Sequence, residues 1–287
     1  MATHADATIT ISLPQLAKTI DHSLLQPTLT DAEILAGLEL AKRLKVAAAC
    51  VKPYSVPVAR DVLEDTGVPI CAVVGFPHGN STTGIKVAEA EEALREGAHE
   101  IDMVVNVGKV LGGDWEYVTN EIHAVNNAVA KYGRSSSSSS IGNIGGDSGG
   151  SGTGGLKVIF ENDFLEDEHI VHLCKICAAE SVAFVKTSTG YGFVKQQRHG
   201  GGGGALYACR GATARHIRLM KASVGPNVRV KAAGGIRSLD EALVALAAGA
   251  SRIGASATQA IYDEAVARGI GTMPVRVNLH DIAPELG

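Results

Sequence analysis

The chain has 287 residues, is 45% apolar, 4% aromatic and 20% charged, and carries a formal net charge of -4. It is long enough to bury a sizeable core, and its scattered lysines and arginines exclude the basic stripe of a nucleic-acid-binding protein. No apolar run approaches the roughly 18 residues of a membrane span, and the sequence shows neither a secretory signal pattern nor an even number of cysteines. We therefore expect a cytoplasmic globular protein without nucleic-acid or membrane partners.

Eight short apolar runs alternate with helical segments along the chain. Because these runs are apolar throughout, they predict strands buried on both faces, as in a parallel sheet. Capping-box motifs mark helix starts at Thr30 with Glu33 and at Ser238 with Glu241. Eight strand–helix units favour an α/β fold of the (β/α)8 TIM-barrel type, with a doubly wound sheet as the alternative. The predicted strands cover residues 19–22, 47–51, 70–74, 100–105, 156–161, 183–187, 229–233 and 251–254.

Glycine interrupts this pattern in two places. Of the 34 glycines, eight lie in the serine-rich segment 135–155 and five in the run 200–204. The first segment offers almost no apolar surface to offset the entropy of ordering, so we predict a disordered insertion within a single domain spanning 1–287. It follows a helix predicted at 115–131. The second run belongs to an expanded loop, 191–211, on the catalytic face of the predicted barrel, where it is either a mobile lid or a tolerated expansion.

Three ionisable residues stand in strands that otherwise have a buried pattern: Asp102, Lys186 and Lys231. Charged side chains are rarely buried without partners, so we expect these three to share a polar centre. Two neighbouring lysines should lower each other's pKa, because a like charge disfavours the protonated form. A neutral lysine can form a Schiff base, and an aspartate beside it can transfer protons. The alternative is a buried ion pair without catalysis.

Glycine-containing turns follow the last three predicted strands. In TIM barrels, the loops after the seventh and eighth strands commonly bind phosphate through backbone N–H groups and a helix amino terminus. Glycine lets the backbone approach an anion closely, and a serine hydroxyl can donate a hydrogen bond to it. An ordinary turn is the alternative for any single pair. Together the turns predict a phosphate site formed by Thr189, Gly190, Gly234, Gly235, Gly254 and Ser256.

Other apparent motifs do not support a function. The run GNSTTGIK, which ends at Lys86, resembles a P-loop, but an isoleucine separates its second glycine from the lysine. Cys174 and Cys177 have the spacing of a zinc pair, yet they lie in a predicted helix with no second pair, so we expect buried thiols. His169 and His172 share that helix and are expected at its solvated surface. No metal site is predicted.

Several segments resemble the signature sequences of the deoxyribose-phosphate aldolases, a family of class I aldolases. They include EIDMVVNVGKVLGGDWEYV, LKVIFENDFLEDE, FVKTSTGYG, VKAAGGIRSLDEAL and ASRIGASA, together with IDHSLLQP, ACVKP and VVGFPHGNSTTGIKVAEAEEAL. The resemblance covers nearly the whole chain apart from its tail and the two glycine-rich interruptions. The pair FVKTSTG and VKAAGGIR is highly specific, and both of its lysines are present.

The resemblance implies reversible cleavage of 2-deoxy-D-ribose 5-phosphate to D-glyceraldehyde 3-phosphate and acetaldehyde, in deoxyribose phosphate catabolism. It implies that Lys186 forms the Schiff base, that Lys231 lowers the pKa of Lys186, and that Asp102 transfers protons with an ordered water. Asp21 and Cys50 match positions that line the family's barrel mouth, which is a weaker assignment. The family needs no metal or organic cofactor, and it suggests a homodimer.

Two features depart from the family pattern. The serine–glycine insertion is atypical, but on the amino-terminal face of a barrel it should leave catalysis intact. The loop after FVKTSTG is usually short and is here extended as YGFVKQQRHGGGGGALYACRGAT, which bears on the affinity for a phosphorylated substrate. Two other functions stay open: an imine-forming aldolase for another phosphorylated sugar or keto acid, and a catalytically silent barrel that binds sugar phosphates.

Overall fold

The apolar runs form eight parallel strands that close into a barrel, which confirms the predicted TIM-barrel fold. The computed structural model describes residues 8–135, 155–195 and 207–279. The barrel strands are β2 (Ile20–Leu24), β3 (Ala48–Val51), β4 (Ile70–Val74), β5 (Glu100–Val104), β6 (Leu156–Ile159), β7 (Phe184–Lys186), β10 (Arg229–Ala233) and β11 (Arg252–Ala255). Strands β2 to β7 follow one another around the barrel, and β10 and β11 complete the ring between β7 and β2.

Helices alternate with the strands and pack around the barrel, and the main apolar core lies between the two layers. Both predicted capping boxes form, because the Thr30 and Ser238 hydroxyls accept hydrogen bonds from the backbone N–H groups of Glu33 and Glu241. The helices are α1 (Leu13–Ala17), α2 (Asp31–Leu44), α3 (Val56–Leu63), α4 (Thr83–Glu96), α5 (Val107–Leu111), α6 (Trp115–Ser135), α7 (Asp167–Ala179), α8 (Ala214–Ser223), α9 (Leu239–Ala247) and α10 (Thr258–Ala267).

Among the described residues, two short antiparallel strand pairs lie outside the barrel and were not predicted. β1 (Thr8–Ile11) pairs with β12 (Val275–Asn278) and joins the two ends of the described chain. β8 (Val194–Lys195) pairs with β9 (Tyr207–Ala208) and brings together the two sides of the expanded loop. The glycine run 200–204 between them lies outside the described residues. Whether this loop acts as a lid therefore stays a prediction.

The serine–glycine insertion also falls mostly outside the described residues. Helix α6 continues to Ser135, beyond the predicted end at residue 131, and the chain is described again from Gly155, directly before β6. Disorder between these points, and the single-domain boundaries 1–287, stay predictions. Among the described residues, no helix combines the length and the apolar character that crossing a membrane requires.

Helix α7 carries the cysteine and histidine pairs that the sequence set aside. Cys174 and Cys177 are completely buried, which confirms the expectation of buried thiols. His172 is exposed and stacks on the indole of Trp115 with 3.9 Å between ring centroids, whereas His169 is half-buried. The position of both histidines on the outer side of helix α7 therefore explains them without a ligand site.

Candidate active site

The interior of the barrel is lined by charged side chains on most of its strands. Alternate residues of a strand point to opposite faces, so every second position of each barrel strand faces inward. TIM-barrel interiors are usually filled by branched apolar residues, and inward-facing charges therefore require partners. Here they form one connected network of ion pairs, made by Asp21, Glu100, Asp102, Lys157, Lys186, Lys231 and Arg252.

Asp102, on β5, is the centre of this network. Its Oδ2 atom accepts hydrogen bonds from Lys186 Nζ at 2.7 Å and from Lys231 Nζ at 2.8 Å. Its Oδ1 atom accepts from Lys157 Nζ at 2.9 Å and from Cys71 Sγ at 3.0 Å. Burial alone would raise the pKa of Asp102, but the positive charges of the three lysines outweigh burial and hold that pKa well below its usual range. Asp102, Lys186 and Lys231 therefore share a polar centre, as the sequence predicted.

Asp21, on β2, provides a second buried carboxylate. Its Oδ2 atom accepts a hydrogen bond from Lys231 Nζ at 2.5 Å, and its Oδ1 atom accepts from Arg252 Nη1 at 2.5 Å. Burial lowers the pKa of Lys231, but the attraction of Asp102 and Asp21 outweighs burial and raises that pKa above its usual value. The expectation that Lys186 and Lys231 lower each other's pKa is therefore wrong for Lys231, because it considered the like charge without the carboxylates.

The network has one more cation than anions. Lys157 contacts three carboxylates and Lys231 contacts two. Lys186 has a single carboxylate partner among the described residues, Asp102, and its side chain keeps 3% exposure. Lys186 is therefore the lysine of this network with the fewest anionic contacts. The cations are Lys157, Lys186, Lys231 and Arg252, and the anions are Asp21, Glu100 and Asp102.

Cys50 lies on β3, beside the network and next to a second thiol. Its Sγ atom is 3.8 Å from Cys71 Sγ and 4.0 Å from Asp102 Oδ2. These three side chains bring their ligand atoms within 4.8 Å of one another, which is close enough to hold a soft metal ion. However, Lys157 Nζ lies 3.1 Å from Cys71 Sγ, and the lysines already occupy the oxygens of Asp102. A bound cation would face this positive charge, so we do not assign a metal site.

Glu161 follows β6 and holds the turn after β7 in place. It adopts the left-handed conformation with φ of 60°, and its carboxylate accepts hydrogen bonds from the backbone N–H of Thr189 at 3.1 Å and from the Thr189 hydroxyl. Burial raises the pKa of Glu161 to about 7 despite these hydrogen bonds. The Thr189 hydroxyl therefore donates its hydrogen to Glu161 rather than to a ligand, and Thr189 serves to orient the turn.

The glycines of the predicted phosphate site are only partly brought together. Gly190 and Gly235 have positive φ angles and line a cavity of about 540 Å³ at the barrel mouth, together with Arg210 and Arg237. Gly234 lies behind them, where an added Cβ would come within 3.4 Å of the Gly190 Cα. The glycine-rich turns after β7 and β10 therefore do meet at one cavity.

The last predicted turn contributes less than expected. Gly254 lies within β11 with its missing side chain directed into the barrel, since an added Cβ would lie 3.4 Å from Lys231 Cε. It leaves room for the lysine rather than for a phosphate. Ser256 is exposed and is not among the residues that line the cavity. The roles predicted for Gly254 and Ser256 stay predictions that this geometry does not support.

The comparisons with known proteins agree with the resemblance. A profile described as DeoC/LacD family aldolase matches residues 15–134. A deoxyribose-phosphate aldolase of Rhodopirellula baltica is 43% identical over 250 residues, which cover 87% of this chain and 89% of that relative. This chain belongs to the deoxyribose-phosphate aldolase family. It is therefore an aldolase, a carbon–carbon lyase.

Solved structures of the same family share its fold. A Coccidioides immitis protein assigned as a deoxyribose-phosphate aldolase superposes with a TM-score of 0.73 at 29% identity, over 93% of this chain and 92% of that one. The deoxyribose phosphate aldolase of Aeropyrum pernix, described as tetrameric, gives a TM-score of 0.70 at 26% identity over 87% and 91% of the two chains. The closed barrel is thus the architecture of the deoxyribose-phosphate aldolase family.

Sequence reasoning missed several residues of the aldolase network. Lys157 gives the same signal as Lys186, a charge in a strand with a buried pattern, and could have been found by the same rule. Glu100 and Arg252 stand at the first positions of their strands, where exposed charges are usual, so nothing local marked them as buried. Cys71 gave no signal, because an isolated buried cysteine is ordinary in a core.

Proposed function

We propose that this aldolase reversibly cleaves 2-deoxy-D-ribose 5-phosphate to D-glyceraldehyde 3-phosphate and acetaldehyde through a Schiff base on Lys186. The observation that carries the proposal is the position of Lys186 within the charge network. It is a buried lysine in contact with one carboxylate, and four residues further along the chain Gly190 lines the cavity at the barrel mouth. The name shared by the relatives supports the choice of substrate.

The chemistry requires a neutral Lys186 amine. This amine attacks the C1 aldehyde of the open-chain sugar, and the resulting carbinolamine loses water to give an iminium ion. The iminium accepts the electron pair of the C2–C3 bond as that bond breaks, while the C3 hydroxyl loses its proton and becomes the aldehyde of glyceraldehyde 3-phosphate. The enamine that remains takes a proton at C2, and hydrolysis releases acetaldehyde and the free lysine.

The network supplies the proton transfers and the electrostatic setting. Lys231 stays positively charged between Asp102 and Asp21, and it shares the Asp102 Oδ2 acceptor with Lys186. When Lys186 loses its charge, one of the attractions that keep Asp102 ionised disappears. Asp102 then becomes a better proton acceptor at the moment when the carbinolamine forms and breaks.

The cavity at the barrel mouth suits a phosphate group. Gly190 and Gly235 leave backbone open to an anion, and Arg210 and Arg237 line the same cavity. Glu241 also lines it, but its carboxylate already accepts hydrogen bonds from the backbone N–H groups of Arg237 and Ser238. Arg210 belongs to the expanded loop, and its backbone N–H donates to Asp163 Oδ2 at 2.9 Å, which fixes the end of that loop. We therefore expect the loop expansion to be compatible with a phosphorylated substrate.

We further propose that the reaction uses no metal or organic cofactor, because the iminium on Lys186 serves as the electron sink. A small phosphorylated sugar is the expected partner. A homodimer stays an expectation from the family, in which the Aeropyrum pernix member is described as tetrameric. A cytoplasmic location and a role in deoxyribose phosphate catabolism likewise stay expectations.

Substrate turnover tests this function. The full chain is incubated with 2-deoxy-D-ribose 5-phosphate, fructose 1,6-bisphosphate or a phosphorylated keto-deoxy sugar acid, and the aldehyde released is followed by a coupled dehydrogenase. We expect cleavage of the first substrate and at most trace cleavage of the others. Faster cleavage of another substrate would identify an aldolase of different specificity. Binding of sugar phosphate without cleavage of any substrate would indicate the silent barrel.

A further inference from the structure

Two thiols face each other across neighbouring strands of the barrel. Cys50 on β3 and Cys71 on β4 are direct partners in the strand register, and both are completely buried. Their sulfur atoms lie 3.8 Å apart. We propose that this pair is an oxidation site, at which a peroxide converts the two thiols into an intramolecular disulfide next to Asp102.

The backbone already has the geometry that such a bond needs. Neighbouring strands in a sheet are about 4.7–4.9 Å apart, which lies within the Cα separation of about 4.4–6.8 Å found across disulfides. Cys50 and Cys71 occupy the same register position, so we expect their Cα atoms to be separated by about this inter-strand spacing. The sulfur atoms can therefore approach bonding distance by side-chain rotation, without separating the strands of the closed barrel.

A small oxidant can reach the pair from the barrel mouth. The thiols belong to a small inner cluster that Phe76 and Tyr191 cover, with 5.5 Å between the two ring centroids. Tyr191 is half-buried and also lines the cavity of about 540 Å³. One of the two rings that pack against the thiol cluster thus also lines the cavity, and a peroxide is smaller than the sugar that must reach Lys186.

The surroundings make the two thiols unequal. A hydrogen bond with Cys71, helped by the positive charges of Lys231 and Lys186, lowers the pKa of Cys50 although burial opposes this. Burial and the same hydrogen bond raise the pKa of Cys71 well above its usual value. Because the thiolate is the reactive form, Cys50 is the thiol that attacks the oxidant and Cys71 is the one that resolves the product.

The reaction is balanced by one peroxide. The Cys50 thiolate attacks one peroxide oxygen, the O–O bond breaks, and a sulfenic acid and hydroxide form. Cys71 sulfur then attacks the Cys50 sulfur, the S–S bond forms as the S–O bond breaks, and the second hydroxide leaves. Each hydroxide takes up a thiol proton, so that two thiols and one hydrogen peroxide give one disulfide and two waters.

Oxidation would also change the charge network. Asp102 Oδ1 loses the hydrogen bond that it accepts from Cys71 Sγ at 3.0 Å, and the sulfur atoms move within the wall that faces Lys186. On the proposed function, cleavage of deoxyribose 5-phosphate should therefore fall reversibly when the disulfide forms. The covalent change itself does not depend on what the enzyme cleaves.

The experiment counts thiols and then locates them. The reduced full-length protein is treated with hydrogen peroxide, denatured in N-ethylmaleimide and measured by intact mass, followed by non-reducing peptide mapping. All five thiols should be labelled before oxidation and three afterwards, with a peptide that joins Cys50 to Cys71. Dithiothreitol should restore the full labelling. The variant Cys177→Ala is the matched control, because it removes a buried thiol of helix α7 and should still form the cross-link.

Several results would overturn this inference. They are five labelled thiols after peroxide treatment, a sulfinic acid on Cys50 without a cross-link, or a disulfide that joins other cysteines. The peptide map is made on the wild-type chain, so the result does not depend on whether a Cys71→Ala variant folds. If the cross-link forms but the protein cleaves no sugar phosphate before or after oxidation, the proposed function fails and the oxidation site stands.

Discussion

Two regions of this molecule bury lysine and carboxylate side chains, and they differ in how those charges are compensated. Between helices α4 and α6, Lys86 Nζ lies 2.8 Å from Glu121 Oε1 and also donates to the Val104 carbonyl at 2.8 Å. The other Glu121 oxygen accepts from the Asn106 backbone N–H at 3.0 Å. This is a closed pair with one cation and one anion. The barrel centre instead shares each carboxylate among several cations.

The pKa shifts in the two regions run in opposite directions. Burial lowers the pKa of Lys86 and raises that of Glu121, because one partner does not fully replace the water that each charge has lost. In the barrel centre several partners outweigh burial, so the pKa of Lys231 is raised and that of Asp102 is lowered. A buried lysine is therefore not by itself a sign of catalysis. The barrel centre differs because it has one more cation than anions and because Lys186 and Lys231 share the Asp102 Oδ2 acceptor. These two features distinguish Lys186 as the catalytic candidate.

Replacing Asp102 by asparagine gives the largest expected effect. Asp102→Asn removes the negative charge shared by Lys186 and Lys231 and leaves buried ammonium groups under-compensated. We expect a loss of about 3–5 kcal/mol in the free energy of unfolding and a fall of on the order of 10²–10⁴-fold in kcat. Urea unfolding and steady-state assays measure the two effects. Wild-type turnover in this variant would remove Asp102 from the mechanism.

Breaking the helix-layer pair should change stability without changing chemistry. Lys86→Met leaves Glu121 buried without its cation, so we expect a loss of about 3–5 kcal/mol. The double variant Lys86→Met/Glu121→Leu should recover most of this loss, because apolar side chains of similar volume often replace a buried pair at little cost. Both variants should keep the wild-type kcat below their melting temperatures. A fall in kcat of the folded variants would mean that this pair is not purely structural.

Glu161 extends the comparison to a buried carboxylate with no ion-pair partner among the described residues. Its raised pKa of about 7 means that the folded protein holds this proton more tightly than the unfolded chain. The stability gained is complete below the unfolded pKa of about 4.3 and is lost as the pH rises through 7, in total about 4 kcal/mol. The glutamine amide of Glu161→Gln does not titrate, so this variant lacks the pH-dependent loss of stability.

The pH dependence of unfolding tests this assignment. We expect the wild type to lose stability relative to Glu161→Gln between about pH 4 and 7, as measured by urea unfolding at several pH values, since over this range the unfolded wild-type chain releases a proton that the folded protein retains. A constant difference between the two proteins across this range would show that Glu161 titrates normally. Glu166, exposed before helix α7, offers the matched control in Glu166→Gln.

The barrel was predictable because its strands are buried on both faces and interrupted by helix caps. The apolar runs at 70–74 and 229–233 coincide with β4 and β10, and the other runs differ from their strands by a residue or two. The pairing of β1 with β12 was not predictable, because it joins the two ends of the described chain through half-exposed strands with no local turn signal.

The site residues were predictable where a charged residue interrupted an apolar run. They were less predictable where the strand register decides which residues face the barrel interior. Asp102, Lys186 and Lys231 were found in this way, and Lys157 satisfies the same rule. Gly254 was placed in a phosphate turn because its distance from the strand end could not be judged. In the register it pairs with Ala233 and faces the barrel interior beside Lys231.

Reductive trapping tests the central claim most directly. The protein is treated with sodium borohydride in the presence of acetaldehyde, digested and mapped by mass spectrometry, with Lys186→Ala and the exposed-lysine variant Lys175→Ala measured alongside. We predict one stable ethyl adduct on Lys186 in the wild type and in Lys175→Ala, and none in the barrel centre of Lys186→Ala. An adduct on Lys157 or Lys231 in the wild type, or full activity in Lys186→Ala, would contradict the account.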